Sequence, residues 1–495
     1  MTLPTTNAAI ADRYDSIAYV TIPHRITHPD RLASTARFMG LVIPALASAR
    51  VLEVGCGDGA NLIPMAATMP AAKFVGCDLS ARALAAGRET IAALGMSNIA
   101  LLEQDLRTLP AEHGDFDFII AHGVYSWVPP EVRDGLLALA RSRLSPGGIL
   151  FVSHNALPGH RVRQIASEIL HAHVDSLADP RARLASAREL AKMIAGGRSF
   201  HASDDAVRAE FRAIAQSSDS ELFHDTLGVP NEAFSFREFT AHAARFGLRY
   251  LAEADLHSMS AVALAPEARQ FLSTLDADAR EQYLDFVRLR RFRQSLLCRV
   301  DAALDPAPLA ERVVSMHVSA DRALLQAIAS GKLDDIVRQV DPSAGAGGRV
   351  QTLFESIAKS APAATPMAVL RDRFAKEPLP RSVERLIADA CVSNLVILHV
   401  AAPAVVPVAG ERPLAGAVAR HEAATREELT SLLHTRVRIP DAKVRRLVTL
   451  LDGTRDRAAL VAEVNGPAFA YQRDAAMKFV ELALGQLARL GMLAA

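Results

Sequence analysis

The chain has no surplus of charge of either sign: Lys and Arg number 55, and Asp and Glu number 55, in 495 residues. Nucleic-acid binders usually carry a basic excess that neutralises phosphates. The balance therefore argues against nucleic acid as a partner, and it is not that of a generic polybasic membrane anchor. Cysteine is scarce, with Cys56, Cys77, Cys298 and Cys391 and no CxxC pair. That argues against a disulfide framework and a thiolate zinc site, and it leaves buried, reduced thiols. Long apolar runs are also missing. The best candidate, Val396 to Ala409, is broken by Pro403 and Pro407, and a span needs roughly 18 uninterrupted apolar residues. The opening MTLPTTNAAIADRYD has no basic start followed by an apolar core, so it does not read as a signal peptide. The expectation is a soluble, cytoplasmic protein without membrane insertion.

What is present is an ordinary globular composition, 50% hydrophobic and 22% charged, long enough for roughly three domains. Short apolar runs alternate with longer Ala/Leu/Arg stretches of helical spacing. The runs are Arg50–Val54, Lys73–Cys77, Ile99–Glu103, Phe116–Ala121 and Ile149–Ser153, with helices over Asp30–Phe38, Ala81–Leu94 and Glu131–Leu144. Strands alternating with helices predict βαβ units, and nearly all-apolar strands predict a parallel sheet covered on both faces. From His160 to about residue 225 the strand signal stops, and His160–Leu177 and Pro180–Met193 read as a helical insertion. It resumes with a helix over Phe234–Phe246, a strand over Leu248–Glu253, a helix over Asp276–Phe292 and a strand over Ser295–Val300. Beyond residue 301 the chain reads as helical, with a short strand near Val396–Val400 and a Pro-rich linker at Pro403–Pro413.

The chemistry sits in Val51-Leu52-Glu53-Val54-Gly55-Cys56-Gly57-Asp58-Gly59. A strand runs into a loop with glycine at every second position, where the backbone can turn sharply and approach a ligand. In open α/β sheets ligands bind at such strand ends. Gly55-x-Gly57-x-x-Ala60 also fits a dinucleotide fingerprint, so NAD is the competing ligand. Three features favour S-adenosylmethionine. Glu53 precedes the first glycine by two residues, and a carboxylate there suits cationic sulfonium and ammonium groups rather than a pyrophosphate. Asp78 ends the second strand, where a carboxylate accepts both ribose hydroxyls, a feature shared with NAD enzymes that counts only in combination with the other two. Gln104-Asp105-Leu106 follows the third strand, beside the expected adenine edge.

The fourth strand ends in Ala121-His122-Gly123-Val124-Tyr125-Ser126-Trp127, the position that borders the transferred methyl. His122 is a candidate proton acceptor or pocket-shaping residue. Tyr125 and Trp127, the single tryptophan, are candidates for an aromatic wall around an acceptor amine or hydroxyl, against the plainer reading of Trp127 as packing. His171, His173 and Asp175 in HAHVD have the residue types of a metal cluster. On a helix only His171 and Asp175 share a face, and a solvated face is the better reading, so no metal is expected.

These residues resemble the class I S-adenosylmethionine-dependent methyltransferases. The stretches Tyr14-Asp15, Thr27-His28-Pro29-Asp30-Arg31-Leu32, LEVGCGDGANLIPMA and IIAHGVYSWVPPEVRD resemble a bacterial subgroup with a methyltransferase regulatory domain. FSFREFTAHAARFGLRYLAEADLHSM and YLDFVRLRRFRQSLLCR resemble that domain, and the tail resembles the C-terminal module of bacterial protein lysine methyltransferases. The resemblance implies a doubly wound Rossmann-like α/β core of strand order 3-2-1-4-5-7-6, with the last strand antiparallel. It implies cofactor contacts from Glu53, Gly55, Gly57, Asp58, Gly59, Asn61, Asp78, Leu79, Asp105 and His122, with Gly123 beside them and Tyr14 and Tyr19 folded over the cofactor. One departure stands in Ser153-His154-Asn155-Ala156-Leu157-Pro158-Gly159-His160, where the subgroup usually shows aromatic residues in place of His154 and His160.

The expected organisation is a cofactor-binding core over 1–159, a helical insertion over 160–225 and completion of the core sheet over 226–300. A helical middle domain over 301–402 and a winged-helix-like domain over 403–495 follow. The leading function is methyl transfer from S-adenosylmethionine to lysine of a protein substrate, leaving S-adenosylhomocysteine. A small-molecule N- or O-methyltransferase and a non-catalytic cofactor-binding regulator are the alternatives. The region after residue 301 lacks nucleophile, metal and phosphate-loop chemistry. It is expected to present the protein substrate, with holding a homodimer as the other role. A chain ending near Val300 is then expected to keep the cofactor and lose the protein target.

Overall fold

The computed structural model describes residue 12 and residues 14–341, 348–376, 379–464 and 473–494. Strands β1 (Arg50–Val54), β2 (Lys73–Asp78), β3 (Ile99–Glu103), β4 (Phe116–Ala121) and β5 (Leu144–Ala156) run parallel. Strand β6 (Ala233–Phe234) pairs beside the end of β5, and β7 (Leu248–Glu253) and β8 (Phe292–Arg299) complete the sheet. The order is β3-β2-β1-β4-β5-β8-β7, with β8 antiparallel to both neighbours. With two-residue β6 set aside, this is the expected doubly wound order.

Each central strand is buried on both faces because its side chains alternate between two apolar layers. Val51, Phe118, Ile149 and Phe151 point into one layer, and Leu52, Ile119, Leu150 and Val152 into the other. The strand order reverses between β1 and β4, which opens a crevice at their carboxyl ends. The loops holding Gly55–Gly59 and His122 leave the sheet there.

Helices Arg161–Val174, Pro180–Ala195 and Ala202–Gln216 form the insertion around their own apolar cluster of Leu170, Leu184 and Phe211. Helix Ala277–Arg288 ends earlier than its periodicity suggests. Leu289 adopts a left-handed conformation at φ 48°, which turns the chain into β8. Arg293 of β8 is fully buried. It pairs with Glu253 at 2.7 Å, Glu281 at 3.2 Å and Asp285 at 2.9 Å, so the charge is taken out of water with three carboxylates around it.

The segment over 301–402, expected to be helical, also contains a three-stranded antiparallel sheet of β9 (His317–Ala320), β10 (Thr365–Pro366) and β11 (Val396–His399). The C-terminal segment pairs β12 (Glu428–Thr430) with β13 (Arg436–Arg438) against helices Ala417–Glu422, Ala442–Leu450 and Arg473–Arg489.

A buried polar pin joins the middle segment to the core. Asp30, at the start of helix Pro29–Phe38, accepts hydrogen bonds from the Val400 and Ala401 N–H groups at 2.8 and 2.9 Å. Its other oxygen meets His399 Nδ1 at 2.8 Å, and His399 Nε2 meets Ser319 Oγ at 2.9 Å. The Ser-His-Asp order is that of a hydrolase, but all three side chains are buried, so the hydroxyl is closed to a substrate. Among the described residues, no helix is long and apolar enough to cross a membrane.

Candidate functional site

Glu53 is the last residue but one of β1 and is buried. Its Oε1 accepts from Asn61 Nδ2 at 2.7 Å, and its Oε2 has no partner among the described residues. Burial pushes the carboxyl up to about 8. The Asn61 bond opposes this, and the nearby Asp78 and Asp58 charges reinforce it. An unpaired buried carboxylate is costly, so this oxygen is poised for a cationic group.

The loop after Glu53 needs glycine. Gly55, Gly57 and Gly59 have φ of 70°, 55° and 75°, a region that side chains rarely enter. A Cβ on Gly57 would also lie 2.7 Å from Thr21 Cγ2. Asp78, at the end of β2, accepts from Gly57 N–H at 2.8 Å and Ser80 N–H at 2.9 Å. Burial raises its pKa, and the backbone donors, that of Leu79 among them, work against the rise. Asp58 accepts from Ala60 N–H at 3.0 Å and from the Thr21 hydroxyl.

An N-terminal strap crosses this loop. The Ser80 hydroxyl donates to Asp15 at 2.6 Å, and the His24 N–H donates to Asn61 Oδ1 at 2.8 Å. Tyr14 and Tyr19 belong to the strap and are 37% and 46% exposed. Both rings rest on His224 of the insertion, with centroids at 4.9 and 5.3 Å. Burial, then the Asp225 charge, raises the Tyr19 hydroxyl pKa.

Two expected adenine-edge groups are engaged elsewhere. Gln104 Nε2 donates to Thr108 O at 3.1 Å. Asp105 caps the turn Leu106–Thr108 through Arg107 N–H at 2.9 Å and pairs with the Arg107 guanidinium at 2.6 Å. Leu106 opens that turn and packs half-buried against the core. A donation from Gln104 to adenine therefore requires exchanging the Thr108 bond, whereas its Oε1 can accept without doing so.

At the end of β4, His122 Nδ1 lies 2.8 Å from Ser153 Oγ, which also accepts from Gly123 N–H at 2.8 Å. The His122 ring meets His24 at 4.0 Å, Phe151 at 5.8 Å and Phe292 at 6.2 Å. Burial, then the His24 ring, lowers the His122 pKa to about 3. An imidazole so hard to protonate is a weak base at neutral pH. Of the two candidate roles, the neutral, pocket-shaping one fits this burial better than that of proton acceptor.

Tyr125 does not wall an open pocket. It is 1% exposed and packs edge-on against Phe234 and Phe239 at 5.1 and 5.2 Å. Its hydroxyl meets His242 Nδ1 at 2.5 Å. The turn Tyr125–Trp127 rotates Tyr125 inward and leaves Trp127 half-buried at the surface. The exposed aromatic near His122 is instead Phe292, 41% exposed at the start of β8. His154 fills an apolar site stacked on Phe239 at 4.2 Å, and neither of its ring nitrogens has a hydrogen-bond partner among the described residues. His160 Nε2 meets Asn231 Oδ1 at 3.1 Å. In the insertion, His173 pairs with Ser186 at 2.9 Å. Among the described residues, no three His, Cys, Asp or Glu side chains group to hold a metal.

His24, Ser153, Phe292 and His434 carry no role in the sequence reading. Ser153 follows from its place one strand beyond His122. His434 of the C-terminal segment, whose Nε2 lies 2.9 Å from Asn61 Oδ1, has no signal in the sequence.

Comparisons with known proteins bear on this geometry. Residues 51–148 match the family described as "Methyltransferase domain", and residues 218–299 the "Predicted methyltransferase regulatory domain". Residues 411–468 match "PKMT, C-terminal winged helix domain". The uncharacterized protein RP789 of Rickettsia prowazekii is 34% identical over 59% of this chain and 53% of its own length, so the match takes in about half of that relative. The uncharacterized protein RP028 of the same organism is 32% identical over 47% of this chain and 94% of its own. The structure of PKMT2 from Rickettsia typhi in complex with AdoHcy superposes with a TM-score of 0.80 at 24% identity, covering 96% of this chain and 100% of that one.

The residues fit S-adenosylmethionine as cofactor. A buried carboxylate oxygen without a partner, left-handed glycines and a strand-end aspartate converge on one crevice. With that crevice on this sheet, and with these three family matches in chain order, the chain belongs to the class I S-adenosylmethionine-dependent methyltransferases that carry a regulatory domain and a PKMT-type winged helix.

Proposed function

We propose that the protein methylates lysine side chains of a protein substrate. The supporting observation is the winged-helix segment of PKMT type built against the cofactor crevice, where His434 reaches the asparagine that holds Glu53. A small acceptor has no need of such a segment.

S-adenosylmethionine, when bound, supplies a methyl group activated on a sulfonium. Glu53 faces its cationic groups, and Asp78 takes the ribose hydroxyls. The glycines let the backbone come close, and the strap from Tyr14 to His24 covers the crevice. Positioning and exclusion of water carry most of such a displacement. The rings of His24, His122 and Phe292 form a neutral surround, backed by buried Phe151, in which an ammonium is poorly solvated. A lysine entering there gives up its proton to solvent and offers a lone pair. Phe292 borders the acceptor side, and Trp127, in the turn after β4, is the second aromatic candidate for it.

The test incubates the full chain with methyl-labelled S-adenosylmethionine and a bacterial extract split into protein and small-molecule fractions. Label on lysine, located by peptide mass spectrometry, is the expected result. Label confined to the small-molecule fraction supports a small-molecule methyltransferase. Cofactor binding without label in either fraction supports a regulator without turnover.

A further inference from the structure

We propose that His434, on the winged-helix segment, is a positioning residue of the cofactor crevice. It holds Asn61 so that the amide of Asn61 faces Glu53, and cofactor affinity depends on the seating of the C-terminal segment. This inference rests on the assignment of the crevice to S-adenosylmethionine.

The direction of each bond is fixed by one donor that cannot be reversed. The His24 backbone N–H points at Asn61 from 2.8 Å and can only donate, so the atom facing it is Oδ1. Nδ2 then faces Glu53 Oε1 at 2.7 Å and Thr27 Oγ1 at 3.0 Å, which uses both amide hydrogens. His434 Nε2 lies 2.9 Å from the same Oδ1, so it must carry the hydrogen and donate. Without it, Asn61 keeps only His24 and the longer Thr27 contact at 3.3 Å on that oxygen.

The backbone around His434 serves this contact. His434 is buried and adopts φ 57°, a conformation uncommon for a residue with a side chain. Ser431 holds the turn. Its carbonyl accepts from His434 N–H at 3.0 Å, and its hydroxyl accepts from Leu433 N–H at 3.2 Å and Thr435 N–H at 3.3 Å. Seating is reinforced by Val418, which packs in the same apolar cluster as Leu62, Ile63 and Met65 of the helix following Asn61.

The experiment compares His434→Gln with His434→Met in the full chain. The two side chains are similar in length and differ at the terminal donor, so packing and the left-handed backbone largely cancel between them. Two ligands are titrated calorimetrically: S-adenosylhomocysteine, and 5′-methylthioadenosine, which lacks the amino-acid tail that Glu53 faces. His434→Gln should bind S-adenosylhomocysteine like the wild type. His434→Met should bind it on the order of tenfold more weakly, the effect of one lost buried hydrogen bond, with methylthioadenosine affinity unchanged. Equal S-adenosylhomocysteine affinity in the two variants overturns the inference. So does an equal loss for both ligands, which would mark His434 as a packing residue. A wild type that binds neither ligand removes the cofactor assignment itself.

Discussion

The most discriminating perturbation is proton removal from Glu53. Its carboxyl sits at about 8 because it is buried, with Asp78 and Asp58 nearby. At pH 6 only about one molecule in a hundred then has the ionised form, and at pH 8 about half do. A ligand ammonium favours the carboxylate, so binding draws the proton off Glu53. The folded-state pKa is raised, so the protonated form prevails below about 8, and affinity for S-adenosylhomocysteine climbs as pH rises towards that value. Between pH 6 and pH 8 the gain is about fifty-fold, and it levels off above. The assay is calorimetry across that range in buffers of different ionisation enthalpy, which also counts the proton released. Glu53→Gln should flatten the curve, and methylthioadenosine should show no such slope with the wild type. A wild-type S-adenosylhomocysteine affinity that stays flat from pH 6 to pH 8 would refute the reasoning about Glu53.

Asp78→Ala should weaken S-adenosylhomocysteine binding by about 1.5–3 kcal/mol, the scale of hydrogen bonds to a charged group, and NAD should not bind at all. Calorimetry checks both, and unchanged affinity in the variant would exclude Asp78 as the ribose partner. Trp127→Ala should lower turnover far more than cofactor affinity; a joint fall with the melting temperature would make Trp127 a packing residue. Arg293→Met removes the central cation of a buried cluster and leaves Arg290 alone to face Glu253, at 3.6 Å, and Asp285, at 2.8 Å; it should destabilise the fold by about 3 kcal/mol, read from the midpoint of denaturant unfolding.

The large sheet was legible because its strands are buried on both faces, so runs such as Phe116–Ala121 are apolar throughout. The Glu53 and Asp78 positions were legible because each sits where a strand ends and a glycine loop or turn begins. The small sheets were hidden by length. β9 has four residues and β10 two, too few for alternation to stand out from Ala-rich helical surroundings. Tyr125 was misread because an aromatic at a strand end carries no mark of its direction. The pocket that receives it is built by Phe239 and by His242, 117 residues away. His434 meets Asn61 across 373 residues, and no local pattern encodes such a meeting.

The same long-range contacts change what the second half of the chain is for. A platform that merely presents a substrate needs only to be tethered near the crevice. Here the middle segment supplies the donors that satisfy buried Asp30, through His399, Val400 and Ala401, and the C-terminal segment supplies a donor to buried Asn61. A chain ending near Val300 would leave the Asp30 carboxylate without those partners, and unpaired buried groups cost more than their bonds contribute when made. It would also uncover the apolar surface that Val418 shares with the helix after Asn61. Such a chain is therefore not a cofactor-binding core freed of an accessory part. Retained cofactor binding in that chain remains the expectation of a separable platform; these contacts predict loss of cofactor affinity instead, and calorimetry on the shortened chain decides between the two. On the function proposed above, a protein target that displaced the C-terminal segment would break the His434–Asn61 contact, one hydrogen bond away from Glu53.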